Sequence, residues 1–401
     1  MVKINEFAVE RWMDDYETGA KHNLAETCCA SVSLDDLHTF SGQETDAIDS
    51  SRKQTYGAIR GSEALRSNIS KLYSSNTSAP LSSKDILVAN GAIQANFLAH
   101  YTHIGPGDHV ICHYPTYQQL YSVPQSLGAE VALWKSSEDK DWQLDLSELK
   151  SLIQPNTKLI IINNPQNPTG VVLCREVLQK IVDIARQHDI IVHCDEVYRP
   201  LFHSLGNGSE SPPSILDFGY EKAISTGSMS KAFSLAGIRL GWIASRSSEI
   251  IESCASVRHY TLISVGQLND SIATRALSDS CVDNLLDRNI RLAQQNLHDL
   301  GIFVRDYEGK ATWFHPRAGT TAFVKFMRNG TPIDDVAFCQ QVLEKKGVLL
   351  APGSRCFGEG NDFKGYVRVG YVPDRQVLVD GLQALRLFME EDFENLPLAA
   401  V

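Results

Sequence analysis

The 401-residue chain is long enough for two or three structural units, and its 43% hydrophobic and 21% charged residues are those of an ordinary core-forming protein. The 27 glycines and 15 prolines are too few for a disordered or fibrous chain. A net charge of −11 argues against a nucleic-acid or anionic-membrane surface and names no partner. The nine cysteines are odd in number, scattered, and nowhere spaced C-x-x-C, so they read as buried small hydrophobes in a reducing compartment. The first residues, MVKINEFAVERWMDDYE, carry acids where a targeting signal would be apolar or Arg-rich. The longest apolar runs fall far short of the ~20 residues a bilayer span needs. A cytoplasmic location is expected.

Residues 1–45 precede the first clear structural unit and are expected to pack on it or on a partner subunit. From residue 86 the chain alternates short apolar runs with helix-length segments. The runs are 86–90 (ILVAN), 109–113 (HVICH), 130–134 (EVALW), 159–163 (LIIIN), 190–196 (IIVHCDE), 222–228 (KAISTGS) and 241–245 (GWIAS). Most are rich in Val and Ile without polar alternation, as in strands covered on both faces. Between them, REVLQKIVDIARQ (175–187) places apolar residues at 177, 178, 181, 182, 184 and 185, the spacing of one helix face. The pattern predicts an α/β fold with a mostly parallel seven-stranded sheet. Beyond residue 246 the rhythm changes. A long helical region covers 247–300, strand-like runs follow at 321–326 and 366–369, and a helix closes the chain at 375–390. This predicts a smaller α+β domain made from both chain ends: an N-terminal segment 1–45, a large domain 46–290 and a small domain 291–401. Residues 74–83 and 206–213 read as loops.

Chemistry is expected where strands end, because ligands of parallel sheets bind at the carboxyl edge. There the chain places Asn90-Gly91-Ala92-Ile93 opening a helix, Pro115-Thr116-Tyr117, the run NPQNPTG (164–170), Asp195-Glu196-Val197-Tyr198, and SMSKAFSLAGIRLGW (228–242). A small-residue turn at a helix start offers free N–H groups to an anion. One lysine, one carboxylate, an Asn/Tyr pair, an aromatic ring and an anion cup are the parts that hold an aromatic aldehyde phosphate.

NPQNPTG and SMSKAFSLAGIRLGW, with 28 residues from Asn167 to Asp195 and 36 from Asp195 to Lys231, resemble the fold-type-I pyridoxal-phosphate enzymes of the aspartate-aminotransferase-like class I/II family. The likeness covers roughly residues 20–390. It implies pyridoxal 5′-phosphate as cofactor, no metal, and Lys231 as the Schiff-base lysine in a reaction passing through a quinonoid. A nucleophilic lysine calls for a depressed pKa, so a cationic, desolvated surrounding is expected. The resemblance further implies Asp195 as partner of the pyridinium nitrogen, with Tyr198 and Asn167 as donors to the phenolate oxygen. Tyr117 would stack on the ring. Gly91, Ala92, Ile93, Ser228, Ser230 and Arg239 would form the phosphate cup, Arg239 by a bidentate clasp. Tyr56 would reach the phosphate of a neighbouring subunit, making a homodimer with shared sites, and Arg368 would bind the substrate α-carboxylate.

The chain departs from the family where a glycine-containing substrate loop is common: it reads His22-Asn23-Leu24-Ala25-Glu26-Thr27-Cys28. Glu26, with Glu17, is a candidate for recognising a cationic substrate side chain. The expected reaction is transamination between an L-amino acid and a 2-oxo acid. The alternatives are a lyase resembling 1-aminocyclopropane-1-carboxylate synthases or carbon–sulfur lyases, a cyclase or oxidase of an arginine-like substrate resembling capreomycidine-forming enzymes, and a non-catalytic regulatory homologue.

Overall fold

The computed structural model describes residues 4–43, 46–73, 80–206 and 210–400. Parts of both predicted loops, 74–79 and 207–209, therefore lie outside the described residues.

All seven predicted runs are strands of one sheet: β1 (Ile86–Ala89), β2 (His109–Tyr114), β3 (Glu130–Lys135), β4 (Thr157–Asn163), β5 (Ile191–Asp195), β6 (Ala223–Ser228) and β7 (Gly241–Ala244). Their order is β1-β7-β6-β5-β4-β2-β3. Neighbours from β6 to β3 run parallel, whereas β7 is antiparallel to both β1 and β6. Alternate residues feed separate apolar layers on the two faces. Ile86, Val88, Ile160 and Ile162 join one layer, and Leu87, Ala89, Leu159 and Ile161 the other. Only the edge strand β3 keeps several half-exposed positions. Helix 175–187 forms where the periodicity predicts it and buries Leu178, Ile181, Val182, Ile184 and Ala185.

The register sets the site. Asn163 pairs with Asp195, Asp195 with Thr226, and Ser228 with Gly241, so these residues share one sheet edge. Gly91, at the start of helix Gly91–His103, stands directly after β1.

The region 247–300 divides into helices Ser248–Arg258, Gln267–Ala276 and the long Val282–Asp306. A second, antiparallel sheet holds Ala311–Trp313, Thr321–Arg328, Thr331–Pro332, Ala351–Pro352 and Tyr366–Gly370. The N-terminal segment is bound to this second layer. Helix Ala8–Tyr16 buries Trp12, whose indole N–H donates to the Leu350 carbonyl at 2.8 Å, and His22–Asn23 pairs with Val348–Leu349. Gly370 then fixes the following turn. A Cβ there would stand 1.8 Å from the Glu26 carbonyl oxygen, and the Gly370 N–H donates to Leu24 O at 2.7 Å. Among the described residues no helix is long and apolar enough to cross a membrane.

Candidate active site at the sheet edge

A cavity of about 530 Å³ opens at the carboxyl ends of β4, β5 and β6, within the size range of a small-molecule pocket. Of the residues singled out in the sequence, Ala92, Ile93, Tyr117, Asn167, Asp195, Tyr198, Ser228, Ser230, Lys231, Arg239, Arg368, Glu17 and Glu26 line it. Tyr56 does not, and stands 76% exposed. Gly91 lies just beneath the wall.

One end of the cavity is built from backbone. Gly91 has φ of 76°, and a Cβ on it would meet the Arg239 guanidinium at 2.9 Å. Gly241 approaches still closer: a Cβ there would lie 2.4 Å from Gly91 C and 2.5 Å from Ala92 N. Glycine at both positions lets β7 press against the helix start while Arg239, itself at φ 50°, reaches over it. Helix-start N–H groups, the Ser228 and Ser230 hydroxyls and an exposed guanidinium are donors of the kind that suits a dianion.

At the centre, Asp195 is 4% exposed. Burial pushes its carboxyl up to about 6, against donation from Asn96 Nδ2 at 3.0 Å and from the Val197 N–H at 3.2 Å. Asn167 is held by its own N–H, which donates to Asn163 Oδ1 at 2.7 Å. The Tyr117 ring packs on Phe7, centroids 4.7 Å apart, and its hydroxyl donates to Glu10 at 2.6 Å.

Lys231 departs from expectation. Its Nζ donates to Thr27 Oγ1 at 2.6 Å and to Cys28 Sγ at 3.3 Å, and stands 3.7 Å from Glu26 Oε1. Burial alone would lower its pKa, but Cys28, Glu26 and Tyr198 raise it above the ordinary lysine value. A depressed pKa in a cationic surrounding is therefore corrected to a raised one, because the nearest charge is the Glu26 carboxylate. Glu26 in turn is held down to about 2: Lys231, the Cys28 thiol and the Thr27 and Cys28 N–H groups outweigh its burial.

Arg368 is 4% exposed and donates to Ala25 O at 2.9 Å and to Asn167 Oδ1 at 3.4 Å, and its buried Nε has no partner. Arg368 lines the cavity and has no carboxylate partner among the described residues, which suits its guanidinium to a ligand carboxylate.

Several wall residues escaped the sequence reading. Asn96 is recoverable in principle, as a polar residue on the buried side of helix Gly91–His103. Thr27 and Cys28 adjoin a residue already singled out, but nothing in their order marks them. Phe7, Glu10 and Met13 carry no local signal.

A half-buried lysine, N–H, hydroxyl and guanidinium donors on one side of it, an arginine with no carboxylate partner among the described residues, and a buried carboxylate on the same edge suit a carbonyl cofactor. The comparisons agree. The family model "Aminotransferase class I and II" matches residues 32–384, and the chain belongs to that family. It is 28% identical over 346 residues to the aspartate aminotransferase of Thermotoga maritima, covering 85% of this chain and 83% of that one. It is 26% identical to the capreomycidine synthase of Streptomyces vinaceus over 75% of this chain and 73% of that one. A PLP-dependent aminotransferase structure from Streptococcus suis superposes with a TM-score of 0.87 at 38% identity, covering 97% of this chain and 98% of that one. The family's cofactor is pyridoxal 5′-phosphate, and the donor set fits it: a dianion cup, a lysine and a buried carboxylate on one sheet edge. Among the described residues no cluster of side chains could hold a metal ion.

Proposed function

We propose that the protein transfers the amino group of an L-amino acid with a cationic side chain to a 2-oxo acid. The observation that carries the reading is the charge left over in the cavity. Of its cations, Arg239 belongs to the phosphate cup, Lys231 is the tethering amine, and Arg368 is oriented for an α-carboxylate. Of its anions, Asp195 faces the ring nitrogen. Glu10 and Glu17 remain, with no ion pair among the described residues, and Glu26 is left over once its partner Lys231 is tied to the cofactor. Glu10, Met13 and Glu17 are spaced three and four apart, so the N-terminal helix and the turn after it present them along one line. Met13 and Phe7 offer apolar surface for an alkyl stem between these charges.

When bound, the cofactor supplies an electron sink for the charge left as the substrate Cα–H bond breaks. Lys231 carries the proton away from Cα and can return it elsewhere. Tyr198 and Asn167 donate to the ring oxygen, and Arg368 orients the α-carboxylate. Tyr56, exposed on a segment pinned by Gln267 and Arg258, serves the phosphate cup of a second copy. Ile59, Tyr260, Ile263 and Leu268 are exposed on the same and the pinning segments, which supports a homodimer through this face. Nine free cysteines favour a reducing, cytoplasmic setting.

A panel of basic, neutral and acidic amino acids with and without a 2-oxo acid tests the reading. Multiple turnovers of basic amino acids only with the acceptor present are expected. Turnover without acceptor, with release of ammonia, would replace it by the lyase, cyclase or oxidase reading, towards which the likeness to a capreomycidine synthase leans. A protein that binds no pyridoxal phosphate would leave the non-catalytic reading.

A further inference from the structure

Behind Asp195 a line of polar side chains runs into the core, away from the cavity. Asn96 Nδ2 donates to Asp195 Oδ2 at 3.0 Å, Thr226 Oγ1 donates to Asn96 Oδ1 at 2.6 Å, His193 Nε2 lies 3.0 Å from Thr226 Oγ1, and His100 Nε2 lies 3.0 Å from His193 Nδ1. Asn96 is 1% exposed and the other three 0%, so solvent supplies none of their partners.

Counting hydrogens fixes the direction of every bond. Gln119 Nε2 donates to Ile93 O at 2.6 Å, so its Oε1 must accept from Asn96 Nδ2 at 3.3 Å. The Asn96 amide is thus oriented with its NH₂ towards Asp195 and its oxygen towards Thr226. The single hydroxyl hydrogen of Thr226 is spent on Asn96, so Thr226 accepts from a protonated His193 Nε2. His193 is neutral, its pKa pushed down to about 3 by burial, so its Nδ1 is an acceptor and takes the His100 Nε2 hydrogen. His100, also held neutral by burial and by its neighbours His193 and His103, is left with a bare Nδ1 that has no partner. All four bonds point the same way, from His100 to the carboxylate.

We infer that Asn96, Thr226, His193 and His100 form a one-way donor relay that holds Asp195 ionised for the ring nitrogen of the cofactor. Aligned donors polarise one another, and their positive ends converge on Asp195. Burial and the adjacent Glu196 act against that charge, while Lys231 and the Val197 N–H act with it. The relay members are positioning residues: none of them but Asn96 reaches the cavity wall. Reversing the line would turn the Asn96 oxygen towards a carboxylate, so the relay and the ionised state support each other. The inference rests on the cofactor assignment above.

The test uses the whole protein loaded with pyridoxal phosphate labelled with ¹⁵N in the ring, in wild type and in Thr226→Val, Thr226→Ala and Thr226→Ser. Valine breaks the line at nearly constant volume, and alanine does so without adding bulk should packing exclude valine. Serine restores the hydroxyl. The expected result is a ring-nitrogen resonance moved towards its unprotonated position in the valine and alanine variants, with the cofactor held about tenfold more weakly, the worth of one weakened charge-assisted hydrogen bond. Serine should match wild type in both readouts. An unshifted resonance in folded valine and alanine variants would overturn the relay and leave the cofactor assignment standing. Failure of the wild type to take up the cofactor would overturn both.

Discussion

The two ends of the cavity are made of different material. The end proposed for the phosphate is backbone on backbone: Gly91 and Gly241 meet where no side chain fits, and Arg239 folds over them. The opposite end is side chain on side chain: Glu10 and Met13 from the N-terminal helix, Glu17 from the turn after it, and Glu26 from a turn braced by Gly370. An end fixed by covalent geometry can serve only one ligand shape, whereas the other can be rewritten without disturbing the fold. A common cofactor and a private substrate need these two constructions.

Lys231 lies between the ends, and its removal should have the largest effect. Lys231→Ala is expected to lower kcat by about 10⁴-fold for every substrate, since it deletes the residue proposed as both tether and proton carrier. Pre-steady-state kinetics on basic and neutral amino acids checks this. A variant that lost only basic substrates would move Lys231 to the side-chain end and break the comparison.

Acid should have the next largest effect, through buried histidines that line neither end. His100, His113, His193 and His203 are buried and neutral, with His113 and His193 pushed down to about 3 and His203 to about 4 by burial. Unfolding lets them take up protons below about pH 6.5, so their contribution favours the folded state at pH 7 and is lost as pH falls. Each is expected to cost about 2 kcal/mol between pH 7 and 5. Asp195 acts oppositely: its carboxyl is raised to about 6, so protonation on going from pH 7 to 5 returns about 1 kcal/mol. Glu26, at about 2, keeps its charge across that range. Urea unfolding at the two pH values should therefore show a lower midpoint at pH 5, and an unchanged midpoint would mean that the histidines find protons in the folded chain.

Gly241→Ala probes the backbone end. Its methyl would press on Gly91 C and Ala92 N, which are main-chain atoms that cannot swing away. A loss of about 2 kcal/mol in stability, with weakened phosphate binding, is expected from thermal melts and cofactor titration. Gly237→Ala, in the same motif with nothing within 4 Å of its new Cβ, should melt like wild type.

The same division explains what could be read from the sequence. All seven strands were legible, because fully buried strands are continuous apolar runs, and so were Gly91 and Gly241, whose close approach shapes one end of the cavity. Helix 175–187 was legible to the residue, since its buried face repeats at helical spacing. Asn96 was not, because one polar residue on a buried helix face is silent until its partner Asp195, 99 positions away, is known. Lys231 lines the cavity, but its raised pKa was not legible: Thr27, Cys28 and Glu26 reach it only through the pairing of the N-terminal turn with Gly370, a contact between chain ends that local pattern does not encode.

The smallest expected effect is also the one that discriminates the substrate end best. Glu26 is tied to Lys231 and Glu10 to the Tyr117 hydroxyl, so changing either disturbs more than charge. Glu17 makes no ion pair among the described residues, and it lines the cavity from the turn that follows helix Ala8–Tyr16. Glu17→Gln keeps the shape of the side chain and removes one negative charge. At an exposed site that is worth up to about 1 kcal/mol, or up to about fivefold in kcat/KM, towards a cationic side chain and nothing towards a neutral one. The loss should shrink as salt is raised, because the attraction is screened. Equal kcat/KM losses on basic and neutral amino acids would mean that Glu17 shapes the wall without reading charge, and the leftover carboxylates would then have to be assigned to the fold.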